Sequence, residues 1–249
     1  MKIFPKYSAA LMAILVLTMS SCTKDKYANH RYWVSWGDVR VEGESFSILL
    51  DDGKTLGIIE SVVPLHEIID GERVLANYII LESGTNSYDI RLNALGKISV
   101  KEPLYKSELS EQELEEIGGD PLVIPQQPWF GGDKYMNVLF EFRYAYLNIT
   151  HKINLLIDDV NSTDSEIFAE LRHDASGDNQ ALTGEARVSF LVDGLIPEGR
   201  NEIKVTIGWA DYDGRLHSES IILRKAPVSS SYTIQRVETE YLKGALPIL

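Results

Sequence analysis

The chain contains a single cysteine, Cys22, in 249 residues. That excludes an intramolecular disulfide framework and a cysteine-built zinc site. It also lacks the short motifs that carry catalysis. There is no GxSxG elbow, no HExxH helix and no Gly-rich phosphate loop opening a helix. Its five histidines, at 30, 66, 151, 173 and 217, are scattered and show no ligand spacing. Positive charge is scarce: 24 Lys and Arg face 37 Asp and Glu, for a net charge of −13. Phosphate-backbone binding needs basic patches, so nucleic acid is excluded as a partner class. A long apolar run is missing as well. The one at the N-terminus, Ala9 to Leu17, has nine residues where a membrane span needs about twenty. Internal repeats and low-complexity tracts are absent. These gaps lead to the expectation of no cofactor, no metal and no enzymatic activity.

What is present begins at that nine-residue run. Lys2 and Lys6 precede it, and Ser20, Ser21 and Cys22 follow. A basic start, a short apolar core and small residues make a secretory signal. Met19-Ser20-Ser21-Cys22 resembles a bacterial lipobox, in which the thiol is acylated and the cysteine becomes the first mature residue. The alternative is an ordinary signal peptide with a stray thiol, but lipidation explains both the position and the solitude of Cys22. Two or more acyl chains anchor firmly where one is marginal. Thr23, where Asp would retain a lipoprotein, points to the outer membrane. Residues 1–21 therefore read as signal peptide and 22–30 as tether. Removing the two lysines of the signal takes the net charge to −15.

Beyond the tether the pattern is β. Tyr32 to Val41 opens it. Phe46 to Leu50 and Thr55 to Ile59 flank Asp51-Asp52-Gly53-Lys54, a hairpin turn in which Gly supplies positive φ. Val74 to Leu81 and Tyr88 to Leu92 follow, with Glu82 to Asn86 as the loop between them. Five strands in residues 31–101 predict a small barrel. Residues 102–125 read as an acidic linker carrying a short helix. Ser110 and Glu113 form a capping box there, Gly118-Gly119 and Pro121 stop the turn, and Glu102 to Asp120 holds seven acids and one base. From 126 to 249 the alternation is regular: Met136/Val138/Phe140/Phe142, Ile153/Leu155/Ile157, Ile167/Ala169/Leu171, Ala186/Val188/Phe190/Val192, Ile203/Val205/Ile207/Trp209. Residues 219–224 add a strand and Tyr232 to Arg236 another. One dry and one wet face mark antiparallel sheets, and six or seven such strands predict a β-sandwich. The fold class is thus all-β: a small OB-like barrel, a short helical linker and an antiparallel β-sandwich.

Several of these features occur together, in order, in one family. They are the lipobox at Cys22, Asp70-Gly71-Glu72-Arg73-Val74 leading to Tyr78, Tyr88-Asp89-Ile90-Arg91-Leu92, Gly119-Asp120-Pro121, Trp129, and Tyr135-Met136-Asn137-Val138. Over nearly its whole length the chain resembles the NigD-like lipoproteins of Bacteroidetes. The resemblance implies an N-terminal OB-type barrel followed by a C-terminal β-sandwich. It carries no functional residues over, and the family name comes from a bacteriocin gene cluster.

Candidate binding residues are few. Trp129-Phe130 has Gly-rich flanks that predict a loop able to stack on a sugar ring; the plainer role is core or domain interface. OB-type barrels do bind oligosaccharides. Arg73 and Arg91 could each grip a carboxylate, or pair structurally with Asp70, Glu72 or Asp89. Asp211-Tyr212-Asp213-Gly214 with Glu219 resembles part of a calcium loop, but the first ligand position falls on Trp209 and Glu219 comes one residue early. An acidic hairpin turn suits it better, and no metal site is assigned. Asn148-Ile149-Thr150 and Asn161-Ser162-Thr163 match a glycosylation pattern by chance. The resulting expectation is an envelope-anchored binding module with a protein, peptide or glycan partner. A hydrolase using paired carboxylates and a bacteriocin-associated, immunity-type protein are the alternatives.

Overall fold

In a computed structural model the described residues are 26–27, 30–132, 134–178 and 181–224. Cys22 and the expected strand at Tyr232 to Arg236 lie outside them. Five strands form the first domain: β1 (Trp33–Glu42), β2 (Ser45–Leu50), β3 (Thr55–Ser61), β4 (Arg73–Ser83) and β5 (Ser87–Lys97). They close into a barrel in the order β1-β2-β3-β5-β4. β3 and β5 run parallel, and the other neighbours are antiparallel. That topology is the OB-type barrel the strand pattern predicts. The β2–β3 turn places Gly53 at φ +82°, the region where a side chain is costly. Inside, Val39, Ile48, Leu56, Val74, Ala76, Tyr78, Ile90 and Leu92 make a closed core. The Tyr78 hydroxyl lies 3.0 Å from Ser35 Oγ, and burial pushes its pKa up to about 12.

The sandwich begins earlier than the apolar alternation indicates. β6 (Ser99–Lys101) and β7 (Leu104–Tyr105) directly follow the barrel. The first joins one sheet, β6-β12-β9-β8, and the second joins the other, β14-β13-β11-β10-β7. The remaining strands are β8 (Trp129–Gly131), β9 (Tyr135–Tyr144), β10 (Lys152–Ile157), β11 (Glu166–Asp174), β12 (Leu182–Leu191), β13 (Glu202–Ala210) and β14 (Leu216–Arg224). The segment read as barrel tail and linker therefore supplies an edge strand to each sheet. Strands of two or three residues are too short to show a period. Hairpin-type pairs are antiparallel, but β6 with β12, β7 with β10 and β11 with β13 are parallel.

Between the sheets lies a single apolar core built from the alternating residues of β9 to β13, with Leu122 and Leu223. Burial of this kind contributes about 25 cal/mol per Å², and with no disulfide available the core carries the stability. Helix α1 (Glu111–Glu116) starts with the capping box read from Ser110 and Glu113. The Glu113 N–H donates to Ser110 Oγ and the Ser110 N–H donates to Glu113.

Candidate functional site

Period two decides where Arg73 points. Val74, Ala76 and Tyr78 enter the barrel core, so Arg73, one residue earlier, faces out of it. It is nevertheless only 2% exposed, because the sandwich covers it. Its guanidinium donates to both carboxylate oxygens of Asp51, at 2.6 and 2.7 Å. Asp51 sits in the β2–β3 turn. Asp38, the register partner of Arg73 on β1, accepts from Nη1 at 3.3 Å. From the sandwich, Asn137 Oδ1 accepts from Nη2 at 2.9 Å and Ser189 Oγ accepts from Nε at 3.2 Å.

These partners are tied to one another. Asn137 and Ser189 face each other across β9 and β12, and the Ser189 hydroxyl donates to Asn137 Oδ1 at 2.7 Å. Asn137 Nδ2 donates to Asp51 at 2.8 Å. The Tyr135 ring lies under the guanidinium, 4.2 Å from its carbon. Lys134 Nζ is 3.6 Å from Asp38. Burial opposes its charge, but Tyr135 and Asp38 outweigh that and raise its pKa. Two cations thus meet two carboxylates in a polar seam between barrel and sandwich, buried at Arg73 and open to solvent at Lys134. Gly131 passes so close that a Cβ there would come within 2.1 Å of Asp51 Oδ2.

The expected partners of Arg73 are engaged elsewhere. Asp70 accepts from the Val41 N–H, Glu72 pairs with Lys97, and Asp89 packs beside Gly57. Adjacent residues on a strand face opposite ways, so sequence proximity misleads here. Trp129 and Phe130 also differ from the predicted loop. They lie in β8, paired with Asn137 and Met136 of β9. Alternation then sends them apart: Trp129 stands edge-on to Trp36 of the barrel, 5.1 Å between centroids, while Phe130 packs on the sandwich core. Arg91 lies on the barrel wall. Its Nη1 donates to Asn93, which donates to Asn77, and its Nε is 3.9 Å from Glu60.

Two further clusters stand out. In the β13–β14 turn, Asp211, Asp213 and His217 converge, with His217 Nε2 at 3.6 and 3.7 Å from the two carboxylates. Glu219 instead accepts from Gln127. The backbone N–H of Arg215, followed by its charge, lowers the pKa of Asp213, as a hairpin turn provides.

The second cluster has no counterpart in the sequence reading. His151, His173 and Asp178 are all buried at one end of the sandwich. His151 Nδ1 is 3.0 Å from His173 Nε2, and His151 Nε2 is 3.2 Å from Asp178 Oδ2. A signal for it exists. The inward phase of Ile153/Leu155/Ile157 extends back to 151, and that of Ile167/Ala169/Leu171 extends forward to 173.

Against known proteins, the NigD-like N-terminal OB domain model matches residues 36–98 and the NigD-like C-terminal beta sandwich domain model matches residues 106–223. The chain belongs to the NigD-like family. Solved structures agree on the fold. A Bacteroides vulgatus protein of unknown function is 24% identical with a TM-score of 0.65, over 76% of this chain and 90% of that one. A toxin-related protein from Parabacteroides distasonis is 25% identical, TM-score 0.63, over 78% and 94%. A NigD-like immunity protein from Bacteroides caccae is 18% identical, TM-score 0.60, over 78% and 94%. No functionally curated protein matches this NigD-like chain.

Proposed function

We propose that this NigD-like chain is a lipid-anchored, non-catalytic binding module of the outer membrane, and that its partner is a protein of a bacteriocin system. One observation carries the binding reading. Buried Arg73 and Asp51 of the barrel are bonded to Asn137 and Ser189 of the sandwich, which fastens the two β domains to each other. Charges held so closely by protein groups do not turn over a substrate. They hold two loop-bearing surfaces in fixed register, which suits a recognition scaffold. The bacteriocin reading draws on the toxin-related and immunity names of the similar structures. The anchor reading rests on Cys22 and its context.

Affinity capture from detergent-solubilised native envelope, with the anchor intact, tests this. The expected result is one stoichiometric protein partner. Hydrolysis of a peptide or glycan by the purified chain would overturn it. Cys22→Ala is expected to abolish palmitate labelling and leave the signal uncleaved.

A further inference from the structure

The buried histidine pair has a resolved hydrogen-bond direction. At one end, His173 Nδ1 lies 3.2 Å from the carbonyl oxygen of Pro121. A carbonyl only accepts, so Nδ1 carries the hydrogen. At the other end, Asp178 Oδ2 already accepts the N–H groups of Ala145 and Tyr146, at 3.0 and 3.4 Å. That marks a carboxylate, and His151 Nε2 therefore donates to it. Between the rings one hydrogen bond spans 3.0 Å, and it has room for one proton.

We infer that this pair is an acid-sensitive latch: a single proton between His151 Nδ1 and His173 Nε2 holds the rings together, and one more proton breaks the pair apart. A second proton would set N–H against N–H at that 3.0 Å separation. Two segments are fastened by the intact arrangement. One runs from Gly118 to Val123. The Asp120 N–H donates to the His173 carbonyl, and Asp120 Oδ2 accepts from the Ala175 N–H. Gly118 lies so close to the His173 and Asp174 backbone that no side chain fits. The other runs from Ala145 to His151 and displays Tyr146 and Leu147 at the surface.

The surrounding groups leave the pair as the titrating element. Asp174 is held below the ordinary carboxylate range: burial opposes this, but the Ser176 N–H and Lys152 outweigh it. Asp120 is bonded to Ala175. On the β9 side the pair meets the uncharged Phe142 ring, 4.6 Å from His151, with Tyr144 beyond it. Arg143 turns away, over Tyr212. Burial, then the charge on His151, lowers the pKa of His173. The unfolded or opened chain binds that proton more readily. The latch is thus intact at neutral pH and weakens as pH falls below about 6.5, by up to tenfold in opening per pH unit.

Imidazole nitrogen-15 spectra of the whole chain at pH 7 test the proton placement. Three of the four ring nitrogens of the pair are expected to carry a hydrogen, with His173 Nδ1 and His151 Nε2 among them. Two unprotonated nitrogens would overturn it. Hydrogen exchange at pH 7 and pH 5, corrected for intrinsic rates, tests the opening. The amides of 118–123 and 145–151 should open about fivefold more at pH 5, and that excess should vanish in His173→Gln. Equal opening of the wild-type chain at both pH values sinks the latch whether or not the variant folds.

Discussion

The chain buries two polar clusters, and they differ in what holds their charge. At the seam between the domains, the fixed charge of Arg73 is met by Asp51, Asp38, Asn137 and Ser189. At the end of the sandwich, two imidazoles share hydrogens with Asp178 and Pro121. A guanidinium stays ionised across the physiological range and has a planar fork that suits bidentate pairing. An imidazole titrates within that range. Similar burial thus yields opposite behaviours. The seam is built to keep two domains in register across the physiological range, and the histidine cluster is built to respond within it.

The largest loss at the seam is expected from Asp51→Ala. It leaves the Arg73 guanidinium buried with its best partner gone, which costs about 3–5 kcal/mol. Urea unfolding at pH 7 measures this, and the same loss is expected at pH 5.5, since the seam turns on the Arg73 charge. A loss under 1 kcal/mol would mean that water or another group replaces the carboxylate, and that the seam does not hold the domains. Gly131→Ala comes next. Its Cβ would meet both Asp51 and the Asn137 amide, at 2.1 and 2.4 Å. Overpacking of this kind costs about 1–3 kcal/mol, again without pH dependence.

His173→Gln tests the histidine cluster. At pH 7 it removes a satisfied ring from a buried site and should cost about 1–2 kcal/mol. The wild-type chain loses stability as pH falls, because burial disfavours the second proton on His173, and the glutamine variant has no such proton to refuse. The gap between the two should therefore narrow as pH falls from about 6.5 to 5. A constant gap would show that His173 is only a packing group.

Much of this was visible in the residues. Asp51-Asp52-Gly53 and the flanking strands predict the hairpin that the barrel contains, and Ser110 with Glu113 predicts the helix cap. Local chemistry and period two suffice for such elements. The seam was not visible, because Arg73 and Ser189 stand 116 residues apart. Asn137 and Ser189 also occupy positions that alternation assigns to a wet face. Only the docking of a second domain makes that face dry. The histidine pair lies between these cases. Its inward phase is readable from the apolar runs beside it, but its closure depends on β10 and β11 pairing Ile153 with His173.

The smallest effect marks where the seam ends. Lys134 reaches Asp38 at 3.6 Å, with 41% of its side chain exposed. An ion pair so open to solvent contributes little, typically 0.2–1 kcal/mol and less in salt. Lys134→Gln should therefore cost about 0.5 kcal/mol at low ionic strength and nothing measurable at 1 M salt. Asp51→Ala should keep most of its cost in the same salt, because its partner is screened by protein rather than by ions. If Lys134→Gln proved as damaging as Asp51→Ala, the charge balance of the seam would extend to its rim. The four groups would then act as one unit rather than as a buried bidentate pair with an incidental neighbour.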